Sequence, residues 1–282
     1  MIKKFLKVSR YDKPHGILFL YYPCIWGIFI NKVNISEVIF LCICFLLGSC
    51  GMRSLGCIWN DYIDRDLDSK VARTRDRLIS SRAVNKKEIL FYLFLNSIIG
   101  VFPLFFIPQK ALIISFLIIP VIIFYPFMKR ITWYPQLYLG ICFNWGILVG
   151  YTAISNDAPT VEVIIFYIGS IFWTIAYDTI YAFQDVKDDS NIGIKSTAVK
   201  FKSNAKIFIF ICYLLTFILW IVSLFMQERP PSYIFMMLAL LLFFSYRLNK
   251  INLNLEKSCL NLFKENSYCG LIISIYFILS QI

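Results

Sequence analysis

The residues of this sequence best suited to chemistry are acidic and lie in two short clusters. The first cluster follows a long apolar stretch and begins at Asn60. If that stretch continues as a helix, the spacings i, i+1, i+4 and i+8 place four polar side chains on one face. These side chains are Asn60, Asp61, Asp64 and Asp68, whereas Asp66 points elsewhere. Carboxylates on one stripe repel each other, so the pattern indicates a bound cation.

The second cluster follows another apolar stretch, later in the chain. Asp185 and Asp189 are four residues apart and are expected to share a helical face. Asp178 lies two helical turns earlier, inside the apolar stretch. An ionisable side chain at that depth in a membrane segment indicates a functional site.

Carboxylate oxygens without histidine or thiolate partners are typical ligands of Mg²⁺. This ion takes one or two carboxylates and completes its octahedron with water and phosphate oxygens. Two facing clusters of this kind are suited to holding a diphosphate through bridging metal ions. Basic side chains nearby would neutralise the remaining negative charge. The candidates are Arg73 and Arg77, which have helical i, i+4 spacing, together with Lys129, Arg130 and Lys195.

The elements that position these residues have the composition of membrane helices. The 282 residues are 59% hydrophobic and 16% charged, with a mean hydropathy of +0.69. With about 17–25 apolar residues per crossing, the sequence predicts an all-α polytopic membrane protein, one integral-membrane domain over residues 1–282. Nine spans are expected near 15–31, 36–57, 88–107, 110–128, 133–154, 161–182, 206–226, 231–248 and 267–282. Proline removes a backbone donor, so helix interruptions are expected at Pro103 and Pro120.

The distribution of charge predicts the orientation of these spans. The net charge is +11, and every Lys and Arg except Lys32, Lys110 and Arg229 lies in the N-terminal segment or in alternate segments along the chain. By the positive-inside rule that side is cytoplasmic, with the N-terminus inside. Both acidic clusters lie on the same side. A topology signal explains the basic residues better than nucleic-acid binding does.

The cysteines and the histidine do not indicate a soft metal site. The nine cysteines mostly fall inside apolar runs without a CxxC pair, and the one histidine, His15, borders the first span. This pattern is typical of small core residues and does not indicate a zinc site or a disulfide framework. No small-residue cleavage site follows the first apolar run, so we expect an uncleaved first span.

Three motifs in order along the chain resemble the UbiA-type intramembrane aromatic prenyltransferases, and most closely the 4-hydroxybenzoate polyprenyltransferases of ubiquinone synthesis. An N-terminal segment, Arg10 to Pro14, fits the same pattern. The three motifs are Asn60 to Asp68 with the downstream Lys70, Arg73, Thr74 and Arg77; Tyr125 to Arg130; and Tyr177 to Ala182 continuing through Asp185 to Asp189 into Gly193 to Thr197. The similarity covers nearly the whole chain.

The resemblance implies nine helices around a central cavity, capped on the cytoplasmic side by the acidic loops, in a bacterial inner membrane. By similarity, Mg²⁺-diphosphate would be held by Asp64, Asp68, Asp185 and Asp189, with help from Asn60 and Asp61. The diphosphate would also be contacted by Arg130, Lys129 and Arg77. Arg53 would contact the carboxylate of the acceptor. The implied reaction transfers a polyprenyl group to the ring carbon ortho to the hydroxyl of 4-hydroxybenzoate. Menaquinone, haem and homogentisate branches share the general pattern and remain alternatives.

Two other classes of membrane protein fit the sequence less well. A CDP-alcohol phosphatidyltransferase is expected to have one compact motif with an Asp-Gly and an Ala-Arg pair, which this sequence lacks. A cation-coupled transporter is expected to carry carboxylates near span centres and on both sides of the membrane. Here the acidic residues gather at one surface.

Overall fold

The computed structural model of the chain describes residues 2–281, and within that range all of its regular secondary structure is helical. The α-helices are α1 (Ile2–Val8), α2 (Pro14–Ile30), α3 (Ile35–Ile63), α4 (Arg65–Asp68), α5 (Lys86–Val101), α6 (Gln109–Leu117), α7 (Ile119–Phe124), α8 (Met128–Ile131), α9 (Pro135–Asn144), α10 (Gly146–Ser155), α11 (Val161–Ala182), α12 (Val186–Ile192), α13 (Thr197–Lys200), α14 (Ala205–Met226), α15 (Ser232–Lys250) and α16 (Glu256–Leu279). Short 3₁₀ helices occur at Phe102–Phe106, Tyr125–Phe127 and Lys202–Asn204.

The helices are those of a multi-pass membrane protein, as the hydropathy pattern predicts. Eight helical segments within residues 2–281 are long and apolar enough to cross a membrane, and α2, at 17 residues, is a ninth apolar helix. The eight are Ile35–Ile63, Lys86–Phe106, Gln109–Ile131, Pro135–Ser155, Val161–Ala182, Lys202–Met226, Ser232–Lys250 and Glu256–Leu279. The predicted all-α polytopic fold is therefore confirmed.

The last helix differs most from its predicted bounds. The sequence predicts a span at 267–282, whereas α16 begins eleven residues earlier, at Glu256. Its first turns contain charged residues, which make that stretch resemble a loop. Arg247 of α15 forms two hydrogen bonds with the Glu265 carboxylate, at 2.7 and 2.6 Å. This pairing offsets the cost of placing a carboxylate on a membrane helix.

The predicted interruptions at the prolines are present. The helix that starts at Lys86 changes to a 3₁₀ turn at Phe102, next to Pro103. Likewise α6 ends before Ile118, and α7 begins with Pro120 in its first turn. A further break, between α9 and α10 near Trp145, has no proline and is not signalled in the sequence.

The core lies around α11, which packs against α9, α10, α14 and α16. Trp26, Trp173 and Trp220, from α2, α11 and α14, are fully buried in mutual contact. Each indole N–H donates to a buried polar oxygen, on Ser274, Asn266 and Ser170 respectively. Satisfied donors inside a close-packed aromatic core make this a rigid support for α11, which leads into the second acidic cluster.

Glycines allow α2 and α10 to pack backbone to backbone. A Cβ atom on Gly27 would lie 2.2 Å from the carbonyl oxygen of Ile147, and one on Gly150 would lie 2.4 Å from that of Cys24. Small residues at such crossings are the usual means of close helix packing in membranes. Both positions therefore require glycine for the observed approach.

Candidate functional site

A cavity of about 910 Å³ runs from the end of the helix bundle that carries the acidic loops into its apolar interior. Asn60 and Phe45 of α3 both line it, and fifteen residues of helix correspond to roughly 22 Å. The loop end is lined by Arg10, Arg53, Arg73, Arg77, Asp178, Asp185 and Asp189, and the deep end by Phe45, Gly48, Val101, Pro103, Leu104 and Phe116. The cavity thus joins a charged mouth to an apolar tunnel.

A second, smaller cavity of about 170 Å³ adjoins this mouth and is lined by both acidic clusters. From the first cluster come Asn60 and Asp68, and from the second Asp185 and Asp189. Its basic lining residues are Arg73, Arg77, Lys129 and Lys195. The two clusters, far apart in sequence, therefore converge at one mouth, as their shared side of the membrane predicts.

The first cluster turns at Asp64. Helix α3 ends at Ile63, Asp64 caps it, and the short α4 continues to Asp68, so the predicted unbroken helix through the cluster is absent. The predicted separation of faces still holds. Asp61, Asp64 and Asp68 are buried, while the side chain of Asp66 is 77% exposed.

Asp64 is the most enclosed carboxylate of the cluster. Its side chain is 0% exposed, with Lys129 Nζ 2.6 Å from Oδ2 and Arg130 Nη2 3.3 Å from Oδ1. Both cations come from α8, which directly follows the 3₁₀ turn at Tyr125–Phe127. Burial raises the pKa of Asp64 above its usual range. Asp64 lies behind the cavity wall and does not line it.

Asp61 and Asp68 share one arginine. Arg77 Nη1 donates to Asp61 Oδ1 at 3.0 Å and to Asp68 Oδ2 at 2.8 Å. Arg10, from the N-terminal segment, also donates to Asp61 Oδ1. These cations cover the Asp61 carboxylate and keep it off the cavity wall, whereas Asp68 faces the smaller cavity.

The second cluster begins where α11 ends. Asp185 is the N-terminal cap of α12, and the Asp189 backbone N–H donates to the Asp185 carbonyl at 2.9 Å, so the two residues lie one turn apart as predicted. Arg73 forms a two-pronged pair with the Asp185 carboxylate and donates to the Tyr181 hydroxyl at 3.0 Å. Burial and the neighbouring Asp185 raise the pKa of Asp189 to about 7.

The i, i+4 spacing of Arg73 and Arg77 predicts neighbouring positions on a helix, and this prediction is wrong. Residues 69–82 form successive turns. The turns let Arg73 reach Asp185 while Arg77 stays with Asp61 and Asp68. In addition, the Ala72 backbone N–H donates to Asp188 Oδ2 at 2.9 Å, so the two acidic loops are connected directly.

The two remaining predicted residues, Lys195 and Arg53, line different cavities. Lys195 Nζ donates to the Ile131 carbonyl at 3.1 Å and lines the smaller cavity. Arg53 lines the larger cavity, 5.6 Å from the ring centre of Phe143. Its Nε is buried without a hydrogen-bond partner in the described structure. A buried, unpaired guanidinium donor is costly, so Arg53 is suited to binding an anion.

The donor set at the mouth fits Mg²⁺. Asn60, Asp68, Asp185 and Asp189 present oxygen atoms, the ligands that Mg²⁺ prefers. Among residues 2–281, no three acidic, histidine or cysteine side chains form a ready group for one ion. Arginines contact several of the carboxylates instead. An ion bound here would take one or two carboxylates and complete its shell with substrate phosphates.

Two further residues of the site, Arg10 and Asp178, have no assigned role in the sequence. Arg10 belongs there to the Arg10 to Pro14 segment of the family resemblance, and its place before the first span is also typical of a topology charge. Asp178 was singled out by its depth, and it does line both cavities. The Arg10 contact with Asp61 has no signal in residue spacing, since it joins segments 51 residues apart.

Comparison with known proteins agrees with this architecture. The UbiA prenyltransferase family matches residues 20–272. A 4-hydroxybenzoate octaprenyltransferase of Blochmanniella floridana is 38% identical over 98% of this chain and 97% of its own length, and that of Pasteurella multocida is 34% identical over 97% and 94%. The chain also matches, at 35% identity, a mitochondrial 4-hydroxybenzoate polyprenyltransferase of Dictyostelium discoideum, of which it spans 61%.

Solved structures share the fold at lower identity. A UbiA homolog from Archaeoglobus fulgidus, bound to GPP and Mg²⁺, has a TM-score of 0.74 at 18% identity, with 98% of this chain and 99% of that chain covered. A UbiA homolog from Aeropyrum pernix K1 has a TM-score of 0.72 at 20% identity, with 94% and 96% covered. The fold is thus that of the UbiA homologs, and the family match together with the full-length relatives makes the chain an intramembrane prenyltransferase. The chain belongs to the UbiA prenyltransferase family.

Proposed function

We propose that this protein transfers a polyprenyl group from polyprenyl diphosphate to the ring carbon ortho to the hydroxyl of 4-hydroxybenzoate, for ubiquinone biosynthesis, with Mg²⁺. The observation that carries the proposal is that both acidic clusters meet at the charged mouth of a cavity whose deep end is apolar. A diphosphate fits the charged mouth and a polyprenyl chain the tunnel. The names of the relatives support 4-hydroxybenzoate as acceptor.

The diphosphate end of the substrate lies at the mouth in this proposal. Asp68, Asp185 and Asp189, with Asn60, would hold Mg²⁺, and the ion would supply Lewis-acid stabilisation of the leaving diphosphate. Arg73, Arg77, Lys129, Arg130 and Lys195 contact the diphosphate as it leaves. Asp61 and Asp64 lie behind them: Asp61 holds Arg77 in place, and Asp64 holds Lys129 and Arg130.

The reaction breaks the allylic C–O bond, and the bonding electrons leave with the diphosphate. The cation that remains must be kept from water, and an aromatic wall does this while offering π faces. Phe19 and Tyr177 stack at 4.1 Å between ring centres, and with Phe263 they line the cavity near its mouth. We assign these rings to the reacting end of the prenyl chain.

The acceptor lies next to Arg53. Its carboxylate pairs with the guanidinium, whose Nε has no partner in the described structure. This anchors the ring so that the carbon beside the hydroxyl attacks the prenyl cation and forms the new C–C bond. The ring proton then passes to a carboxylate of the second cluster, Asp185 or Asp189, through water.

The test of the reaction is direct. Purified protein is incubated with labelled polyprenyl diphosphate, Mg²⁺ and a panel of aromatic acids, with EDTA as the control. We expect labelled product with 4-hydroxybenzoate and none with EDTA. Transfer to another acceptor alone, or transfer that is indifferent to EDTA, would contradict the proposal.

The acceptor site is tested by Arg53→Gln. Loss of the charge-assisted pair is expected to raise KM for 4-hydroxybenzoate at least about tenfold. KM for the polyprenyl diphosphate should stay near the wild-type value, because Arg53 is assigned to the other substrate. Equal rises in both KM values would remove this assignment.

A further inference from the structure

The segment that precedes the first membrane helix is fixed to the bundle at a strained residue. Arg10 has a φ of 55°, a left-handed conformation that is uncommon for a residue with a side chain. On one side of it, the Ser9 carbonyl accepts from the Ser54 hydroxyl at 2.8 Å, and the Ser9 hydroxyl accepts from Asn96 Nδ2 at 2.9 Å. On the other side, the Tyr11 hydroxyl donates to Asn96 Oδ1 at 2.9 Å.

These contacts are buried and they define where the Arg10 side chain goes. Ser9, Ser54 and Asn96 are all less than 2% exposed. A strained backbone conformation persists where the surrounding contacts hold it in place, and such positions are often functional. Here the result is that the Arg10 guanidinium enters the cavity mouth and pairs with Asp61.

The pairing sets the charge balance of the first acidic cluster. Asp61 and Asp68 are two carboxylates that both accept from one Arg77 nitrogen. Arg10 donates to the same Asp61 oxygen as Arg77 does. Arg10 thus supplies a second cation, so that the carboxylates of Asp61 and Asp68 are matched by two guanidinium groups.

We infer that Arg10 is a positioning residue of the transferase: it neutralises the buried Asp61 so that Arg77 can turn to the substrate diphosphate and Asp68 to the metal. This inference rests on the proposed function. Without Arg10, Arg77 is the remaining ion-pair partner of Asp61 and cannot leave it without exposing an unpaired buried charge, which is strongly unfavourable.

A double-mutant cycle tests the inference. Arg10→Gln is expected to raise KM for the polyprenyl diphosphate and the Mg²⁺ concentration for half-maximal rate by roughly tenfold or more. KM for the aromatic acceptor should be unchanged. Adding Asp61→Asn to Arg10→Gln removes the charge that Arg10 neutralises. In this double variant, KM for the polyprenyl diphosphate and the Mg²⁺ requirement should both lie within about threefold of those of the Asp61→Asn single variant. Arg10→Lys, which keeps the charge, should lie between wild type and Arg10→Gln.

The chain offers a matched control in Arg82. This arginine also has a left-handed φ, 59°, and pairs with an aspartate of the same cluster, Asp66, at 3.6 Å. Its side chain is 73% exposed. Arg82→Gln should therefore leave both KM values and the Mg²⁺ requirement unchanged.

Two measurements keep the result separate from the identity of the acceptor. Equilibrium binding of labelled geranyl diphosphate with Mg²⁺ is expected to weaken in Arg10→Gln and to recover in the double variant. In metal-free protein, the melting temperature should be lower in Arg10→Gln than in wild type and should recover in the double variant. If wild type binds the diphosphate but does not prenylate 4-hydroxybenzoate, the proposed function fails while this cycle still decides the role of Arg10.

Two outcomes would overturn the inference. Wild-type diphosphate binding by Arg10→Gln would show that Asp61 needs no second cation. A double variant as impaired as Arg10→Gln would show that Arg10 acts on the substrate itself and not through Asp61.

Discussion

Within the first acidic cluster, burial separates carboxylates that look alike in the sequence. Asp64 is enclosed between Lys129 and Arg130, whereas Asp66, two residues later, extends into solvent. A buried carboxylate keeps its charge only when cations or hydrogen-bond donors compensate for its desolvation. The cations around Asp64 are also those we assign to the diphosphate, so we expect the charge of Asp64, and not that of Asp66, to affect the site.

The pair Asp64→Asn and Asp66→Asn tests this distinction at the residue scale. Both changes remove one charge and keep the shape of the side chain. We expect Asp64→Asn to lower kcat by about a hundredfold or more, since a charge that organises the diphosphate site is lost. Asp66→Asn should stay within about twofold of wild type, as exposed charges contribute little. Both rates come from the labelled-product assay, on samples with matched melting temperatures.

At the scale of elements, the site depends on two loops that meet and on helices that hold them. Arg73 and the Ala72 backbone connect the first loop to Asp185 and Asp188 of the second. Behind the loops, α2 packs so closely on α10 that glycine is required at Gly150. Because α2 carries the wall of the cavity near Phe19, a change at this crossing should affect the whole bundle.

Gly150→Ala and Gly56→Ala compare the same added methyl group in two helices. At Gly150 the new Cβ meets the backbone of Cys24, and at Gly56 of α3 it meets nothing within 4 Å. Gly150→Ala should destabilise the protein by about 1–3 kcal/mol, because α2 and α10 must move apart. Gly56→Ala should leave stability unchanged or raise it slightly, since alanine is the better helix former. Melting temperatures in detergent measure both effects. Equal melting temperatures would show that the crossing tolerates a Cβ.

At the scale of the whole molecule, the charge asymmetry and the site agree on one side of the membrane. The basic segments and both acidic clusters lie at the same end of the bundle, where the cavity has its charged mouth. A mouth on the cytoplasmic side would receive both the diphosphate substrate and Mg²⁺ from solution. We therefore propose that the N-terminus is cytoplasmic, in a bacterial inner membrane.

Reporter fusions test this orientation. Green fluorescent protein and alkaline phosphatase are fused in turn after Arg82 and after Asp157, which lie in loops at opposite ends of the predicted spans. The fusion after Arg82 should fluoresce and lack phosphatase activity, and the fusion after Asp157 should show the reverse, because the positive-inside rule places the first loop in the cytoplasm. The opposite pattern would invert the proposed topology.

The class of fold, most of the spans and the two acidic clusters can be predicted from the sequence alone. Inside a bilayer no water is present to bond the backbone N–H and C=O groups, so they bond to each other within helices. The length of each apolar stretch therefore predicts a membrane helix. Helical periodicity also separated Asp61, Asp64 and Asp68 from Asp66, although the helix turns at Asp64. Such local patterns depend only on neighbouring residues.

The pairing of cations with carboxylates, in contrast, depends on how the chain packs in three dimensions. Arg73 and Arg77 have helical spacing in the sequence, yet turns send them to different clusters. Arg10 reaches Asp61 because Ser54 and Asn96 hold the N-terminal segment in a left-handed turn. These pairings join residues that are distant along the chain. Because no regular spacing relates such partners, they cannot be predicted from the sequence pattern and depend on packing.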